Sequence, residues 1–165
     1  MESGKLLLWV RELSKRCEVL CRSVEDTRKL GRLLGKKAFP GLIFVLKGDL
    51  GCGKTELVRG MAVALGIPQD EVSSPSFNVV HEYDNFVHID LYRIGDDFED
   101  IGVEEILEDN RIKAIEWGEP VLELLEDFPF VVVSCRESEE GRIFTIEDYT
   151  GKVCKELEKS FLEEV

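Results

Sequence analysis

The sequence predicts an α/β domain in three layers, built on a central, mostly parallel sheet with an inserted β-hairpin. Three observations carry this. Leu42-Ile43-Phe44-Val45-Leu46 is an unbroken apolar run, the pattern of a strand covered on both faces by crossover helices. Immediately after a glycine-rich loop, Leu57, Val58, Met61, Ala62 and Leu65 recur at helical spacing. Further short apolar runs at 112–117 and 130–135 alternate with polar and helix-like stretches, as in a layered α/β chain. The 165 residues are enough for one domain with a sizeable core. The expected organisation is an N-terminal extension of uncertain structure over 1–22 and a single domain over 23–165.

Taken in order, Leu6, Trp9, Val10 and Leu13 suit a short amphipathic helix, and residues 18–22 a short strand. Ser23 followed by Glu25 and Asp26 is an N-cap with first-turn acids, which predicts a helix from 24 to about 37. Phe39-Pro40-Gly41 ends it ahead of the 42–46 strand. The helix after the glycine loop stops at Gly66 and Pro68. Ser73 to Phe77 reads as a loop, and 77–83 and 86–92 as the two strands of the hairpin, joined at Asp84-Asn85. Residues 95–110 hold eight acids and no base and predict an acidic surface helix with turns, without the ligand spacing of a calcium loop. A strand is expected over 112–117, a short helix over 120–126, a buried strand over 130–135 paired with 142–147, and a terminal amphipathic helix over 152–165.

The chemistry is concentrated at Gly48-Asp49-Leu50-Gly51-Cys52-Gly53-Lys54-Thr55, which reads G-x-x-x-x-G-K-[ST]. Gly48, Gly51 and Gly53 let successive backbone N–H groups turn into one concavity. In such a loop the lysine, here Lys54, reaches the β- and γ-phosphates and the hydroxyl, here Thr55, ligates Mg²⁺. The following helix turns its positive end to the same place. Strand, glycine loop and helix together make the domain P-loop NTPase-like. The site also requires a carboxylate for the metal. Asp90 and Glu116 each end an apolar strand, where ligands of parallel sheets collect. His88 shares the face of Asp90 and is expected to be a core or hydrogen-bonding histidine rather than a ligand. Arg93, Arg136 and Arg142 are candidates for stabilising phosphate charge. Cys52, inside the loop at a helix start, is either a small filler or a thiol activated by the helix end and Lys54.

The net charge is −13, unevenly spread. The first 37 residues hold ten Lys/Arg against five Asp/Glu, a surplus of +5, so the rest carries −18. So acidic a chain is expected to bind nucleic acid poorly on its own. No apolar run approaches a membrane span, and a cytoplasmic location is expected. The five cysteines are scattered with no C-x-x-C, which predicts reduced thiols and neither a disulfide framework nor a zinc site.

With Ser-Pro-Ser-Phe at 74–77, His-Ile-Asp-Leu-Tyr-Arg at 88–93 and Ile-Glu-Trp at 115–117 beside the glycine loop, residues 23–146 resemble the TsaE (YjeE) family. The resemblance implies a bacterial Mg²⁺-ATPase with weak intrinsic hydrolysis. It implies action with two partners of the TsaD and TsaB type, the core that installs threonylcarbamoyladenosine on adenosine 37 of ANN-decoding tRNAs, with tRNA met only through the complex. By position it makes Lys54 the phosphate lysine, Thr55 and Glu116 the Mg²⁺ ligands and Asp90 the acid needed for hydrolysis. Asp49, Leu50, Gly51, Cys52, Gly53 and Glu56 complete the nucleotide loop. Ser74 and Ser76 lie near the γ-phosphate, Trp117 beside the site, Thr27 near the base, and Arg142 is the late arginine of the nucleotide site. The chain departs from the family at Cys52, usually alanine, at Glu56 and Ser76, usually threonine, and in its first ~20 residues. Glu56 is expected to bring negative charge towards the α-phosphate. Two other classes fit the loop: a small-molecule kinase, which would transfer phosphate to an acceptor, and a nucleotide-gated assembly module that needs no hydrolysis.

Overall fold

The computed structural model describes residues 15–49, 51–72, 79–92 and 102–163. Within them the chain runs β1 (Lys15–Cys21), α1 (Val24–Lys37), β2 (Ile43–Lys47), α2 (Lys54–Ala64), β3 (Val80–Glu82), β4 (Phe86–Asp90), α3 (Val103–Glu108), β5 (Ile112–Glu116), β6 (Phe130–Ser138), β7 (Gly141–Asp148) and α4 (Leu157–Glu163). Short 3-10 segments cover Gln69–Glu71 and Glu119–Leu124. The strands form one sheet in the order β1-β7-β6-β2-β5-β4-β3.

The four central strands, β6-β2-β5-β4, are parallel. The pairings of β1 with β7, β7 with β6 and β3 with β4 are antiparallel. The sheet is therefore mixed, and the mostly parallel sheet expected from sequence is limited to its centre. Connection length is the cause. A parallel return needs a crossover of a dozen residues or more, whereas β6 and β7, and β3 and β4, are joined by tight turns. The turn at Asp84-Asn85 closes the hairpin anticipated there, but its second strand, β4, is itself one of the central parallel strands and carries Asp90.

Alternation along β2 explains its unbroken apolar run. Phe44 and Leu46 enter a core under α1 and α2, while Ile43 and Val45 enter a second core with Val103 and Leu107 of α3 and Val121. α1 begins as expected. Ser23 Oγ accepts from the Asp26 N–H at 3.0 Å, and Asp26 Oδ2 accepts in return from the Arg22 N–H at 3.0 Å. α1 and α2 touch backbone to backbone: a Cβ on Gly31 would lie 2.2 Å from Leu57 O, and one on Gly60 2.2 Å from Arg28 O. Only glycine fits at either position.

Three helical expectations shift. Of the acidic stretch, α3 occupies Val103–Glu108, and the part up to 101 lies outside the described residues. The short helix expected over 120–126 is a 3-10 segment over 119–124. The last helix starts at Leu157, not 152, because the fully buried Asp148 gathers the chain after β7. Its Oδ1 accepts from Thr150 N–H (2.9 Å), Thr150 Oγ1 (2.6 Å) and Gly151 N–H (3.2 Å), and its Oδ2 from Val153 and Cys154 N–H (2.7 and 2.8 Å).

The expectation of reduced thiols fails. Cys17–Cys154 and Cys52–Cys135 are disulfides, with Cα–Cα distances of 5.9 and 6.1 Å. Their partners stand 137 and 83 residues apart and meet only through the folded sheet, so spacing along the chain held no cue. Among the described cysteines Cys21 alone is a free thiol; burial pushes its pKa up to about 12. No helix of the described residues is long and apolar enough to cross a membrane.

Candidate functional site

Because β2, β5 and β4 are parallel, their carboxyl ends lie side by side at one edge of the sheet. Leu46 and Asp90 both stand opposite Glu116. Two backbone bonds continue the alignment past the strands: Leu91 N–H to Glu116 O at 3.0 Å and Trp117 N–H to Leu46 O at 3.2 Å. The register thus delivers the glycine loop, which leaves β2, to the two carboxylates that end β4 and β5.

In the loop, Asp49 and Gly51 are exposed, Cys52 is buried, and Gly53 opens α2 with φ 120°. A Cβ on Gly53 would lie 3.1 Å from Arg142 Nη1, so glycine both permits the turn and admits a guanidinium from β7. Lys54, the first residue of α2, is 6% exposed. Its Nζ donates to Gly48 O at 2.5 Å and stands 3.6 Å from the centre of the Trp117 ring. Burial lowers the Lys54 pKa, against the opposing pull of Glu116, Asp90, Glu119 and Asp49. Trp117 holds φ at 58°, a conformation that costs a non-glycine residue about 1–3 kcal/mol. That turn brings its ring over Lys54, and the Tyr92 ring packs against the Trp117 ring with centres 4.9 Å apart.

The two acids differ in setting. Glu116 is 3% exposed and its Oε2 lies 2.5 Å from His88 Nε2. Asp90 is half-buried and accepts from the Tyr92 N–H at 2.8 Å. Burial raises the Asp90 pKa; the Tyr92 bond lowers it, Glu116 raises it further, and His88 and Lys54 pull it back. The hydrogen-bonding role expected of His88 is the one it has, directed at Glu116 and not along its own strand.

Thr55 is half-buried in the first turn of α2. Glu56, expected to project negative charge into the site, is instead held by Arg28 Nε at 2.7 Å and by Arg59 Nη1. Neither arginine was flagged by the sequence, because Arg28 comes from α1 and meets Glu56 only through the close helix contact at Gly31 and Gly60. Thr27 is buried in α1, where its hydroxyl donates to Ser23 O at 3.3 Å. Arg136 is exposed on β6. Leu50, Ser74, Ser76 and Arg93 lie outside the described residues.

A buried ammonium, two neighbouring carboxylates and a hydroxyl beside a glycine loop at a helix start suit a phosphate ester with a divalent cation. No cluster of three or more His, Cys, Asp or Glu is found among the described residues. Mg²⁺ does not need one, since it keeps several waters and takes one or two carboxylates beside phosphate oxygens.

A family model described as Threonylcarbamoyl adenosine biosynthesis protein TsaE matches residues 21–144, a span that takes in the loop, Asp90, Glu116 and Arg142. The chain belongs to the TsaE family. It is similar to the tRNA threonylcarbamoyladenosine biosynthesis protein TsaE of Treponema pallidum, 38% identical over 125 residues that make up 73% of this chain and 91% of that one. The protein of the same name from Bacillus subtilis is 32% identical over 142 residues, 82% of this chain and 89% of that one. Among solved structures, Bacillus subtilis YdiB superposes with a TM-score of 0.69 at 26% identity, covering 88% of this chain and 96% of that one. These TsaE relatives are thus matched over nearly their whole length.

Proposed function

We propose that this TsaE-family chain is a cytoplasmic Mg²⁺-dependent ATPase of P-loop NTPase-like architecture that serves the formation of tRNA N6-threonylcarbamoyladenosine. It works with a two-protein threonylcarbamoyl-transfer core of the TsaD and TsaB type and meets tRNA through that complex. The observation that carries the reading is the meeting of Lys54, Asp90 and Glu116 at one loop in a chain of this family.

Bound ATP would supply the phosphoanhydride bond to be cleaved, and Mg²⁺ would offset the negative charge of its phosphate oxygens. Lys54 and the N–H groups of Gly51 and Gly53 would hold the phosphates, and Arg142, set against Gly53, would add a second cation to that surface. Thr55 and Glu116 would hold the metal. Asp90, whose raised pKa marks a carboxylate short of solvent, would orient the attacking water or take its proton. Trp117 covers the Lys54 ammonium and shields it from bulk water.

The test is ATP binding by calorimetry beside hydrolysis in the presence of the two partners. Lys54→Ala should lose nucleotide binding. Asp90→Asn and Glu116→Gln should still bind ATP, with hydrolysis and tRNA modification falling ~100-fold or more. Unchanged affinity in Lys54→Ala, or wild-type hydrolysis in both acid variants, overturns the proposal.

A further inference from the structure

A carboxylate taken out of water needs hydrogen-bond donors. Glu116 is such a group, and the side chain whose Nε2 lies at hydrogen-bond distance from its Oε2 is His88, itself 1% exposed. The sheet builds this contact. His88 stands opposite Ala114 and Asp90 opposite Glu116, so His88 and Glu116 are offset by two residues along the same face of adjacent strands. Ala114 has no side chain beyond its Cβ to fill the space between them, which leaves the imidazole room to lean along β5. Lys54 acts on Glu116 only through charge, because its ammonium is bonded to Gly48 O and stacked on Trp117.

We infer that His88 is a positioning residue for the metal: with its proton on Nε2 it anchors Glu116 Oε2, so that Oε1 is left to the cation. This rests on the Mg²⁺-ATP reading above. An anchored carboxylate gives up less rotamer freedom when it binds, and partners of this kind commonly account for 10- to 100-fold in metal affinity. A histidine serving only as filler between β4 and β5 would contribute to stability and leave metal affinity alone.

The experiment measures binding of a non-hydrolysable ATP analogue by calorimetry, first in EDTA and then across a Mg²⁺ titration, with melting temperature recorded in parallel. His88→Phe keeps a ring and removes the donor. His88→Gln keeps an N–H donor at about the reach of Nε2, and His88→Asn places its donor too short. His88→Phe and His88→Asn should bind the analogue as wild type does in EDTA but need ~10- to 100-fold more Mg²⁺ for tight binding, with His88→Gln recovering most of the loss. Adding His88→Phe to Glu116→Gln should cause no further loss, because the two residues act as one unit. If His88→Phe does not fold, the contrast between Gln and Asn decides. A wild-type chain that shows a Mg²⁺ requirement which the Phe or Asn variant retains unchanged overturns this inference alone. A wild-type chain that binds no nucleotide with or without Mg²⁺ overturns the nucleotide reading and this inference with it.

Discussion

Asp148 shows how much one side chain can organise. It is fully buried, and burial by itself would raise its pKa. Hydrogen bonds from the Thr150 hydroxyl and from the Cys154, Thr150 and Val153 N–H groups overcome this and hold the carboxyl below the ordinary carboxylate range. A depressed folded-state pKa stabilises above the unfolded value near 3.9, and that contribution disappears as pH falls through the folded value. Asp148→Asn removes the charge and one acceptor oxygen, and should cost about 2 kcal/mol at neutral pH, of the size of one charge-assisted hydrogen bond. Thermal melts from pH 7 down to 3 should show a constant gap between variant and wild type above pH ~5 and a narrowing gap below ~4. A gap that does not vary with pH would assign the loss to packing. Nothing in the sequence singled out Asp148, since its partners are backbone groups that assemble only once β7 ends. Lys54, Thr55, Asp90 and Glu116 were legible for the opposite reason: contiguous loop chemistry and strand-end acids are written along the chain. Glu56 was legible as a charge but not as a paired one. Arg28→Ala uncovers it on the side of α1. ATP binding should then weaken roughly three- to tenfold at low salt and less at high salt. The double variant Arg28→Ala with Glu56→Ala should bind as wild type does. Equal weakening in both variants would show that Arg28 acts on the nucleotide itself.

At the scale of elements, local signals sufficed where an element is closed by its own residues. The Ser23 cap, the β2 run and the Asp84-Asn85 hairpin are of this kind. They failed where distant segments decide, as in the antiparallel flank of the sheet and in the two disulfides. The Cys52–Cys135 bond joins the glycine loop to β6, directly beneath Gly48, whose own Cβ would lie 2.9 Å from Cys135 O. The Cys17–Cys154 bond joins β1 to the turn after β7. Closing chain lengths of 83 and 137 residues, each bond limits the unfolded ensemble, and loop-entropy reasoning gives about 4–5 kcal/mol apiece as an upper value. Reduction should therefore lower the melting temperature by several degrees or more, with Cys17→Ser and Cys52→Ala each reproducing part of the shift. Cys52 should resist iodoacetamide in the oxidised protein and become labelled after reduction. Cys21 should stay unlabelled in both, held back by burial. Rapid labelling of Cys52 without reductant, or a melting temperature indifferent to it, would show that the loop and β6 are not joined in solution.

At the scale of the whole molecule the question is where the charge goes. The +5 surplus of the first 37 residues invites an RNA-binding reading. The fold engages part of it within the chain instead. Arg22 pairs with Glu140 at 3.7 Å, Arg28 with Glu56 at 2.7 Å, Lys37 donates to Lys155 O at 2.6 Å, and Lys29 lies 4.5 Å over the Phe161 ring. These cations, from α1 and the residue pair before it, therefore answer acids, a carbonyl and a ring contributed by the later, acidic part of the chain. A protein that neutralises few phosphates releases few counterions, so its affinity for RNA is low and only weakly dependent on salt. The isolated chain should bind tRNA with a Kd above ~10 μM at 150 mM salt by fluorescence anisotropy, and log K should change by less than about two for each tenfold change in salt. Adding the two partner proteins should bring tRNA and this chain into one complex, visible by size exclusion with light scattering. Submicromolar tRNA binding by the chain alone, with a steep salt slope, would make the basic N-terminal part an RNA contact in its own right. Charge reversal at Arg22 and Lys37 would then weaken binding, whereas the pairing within the chain described here leaves those substitutions without effect on tRNA.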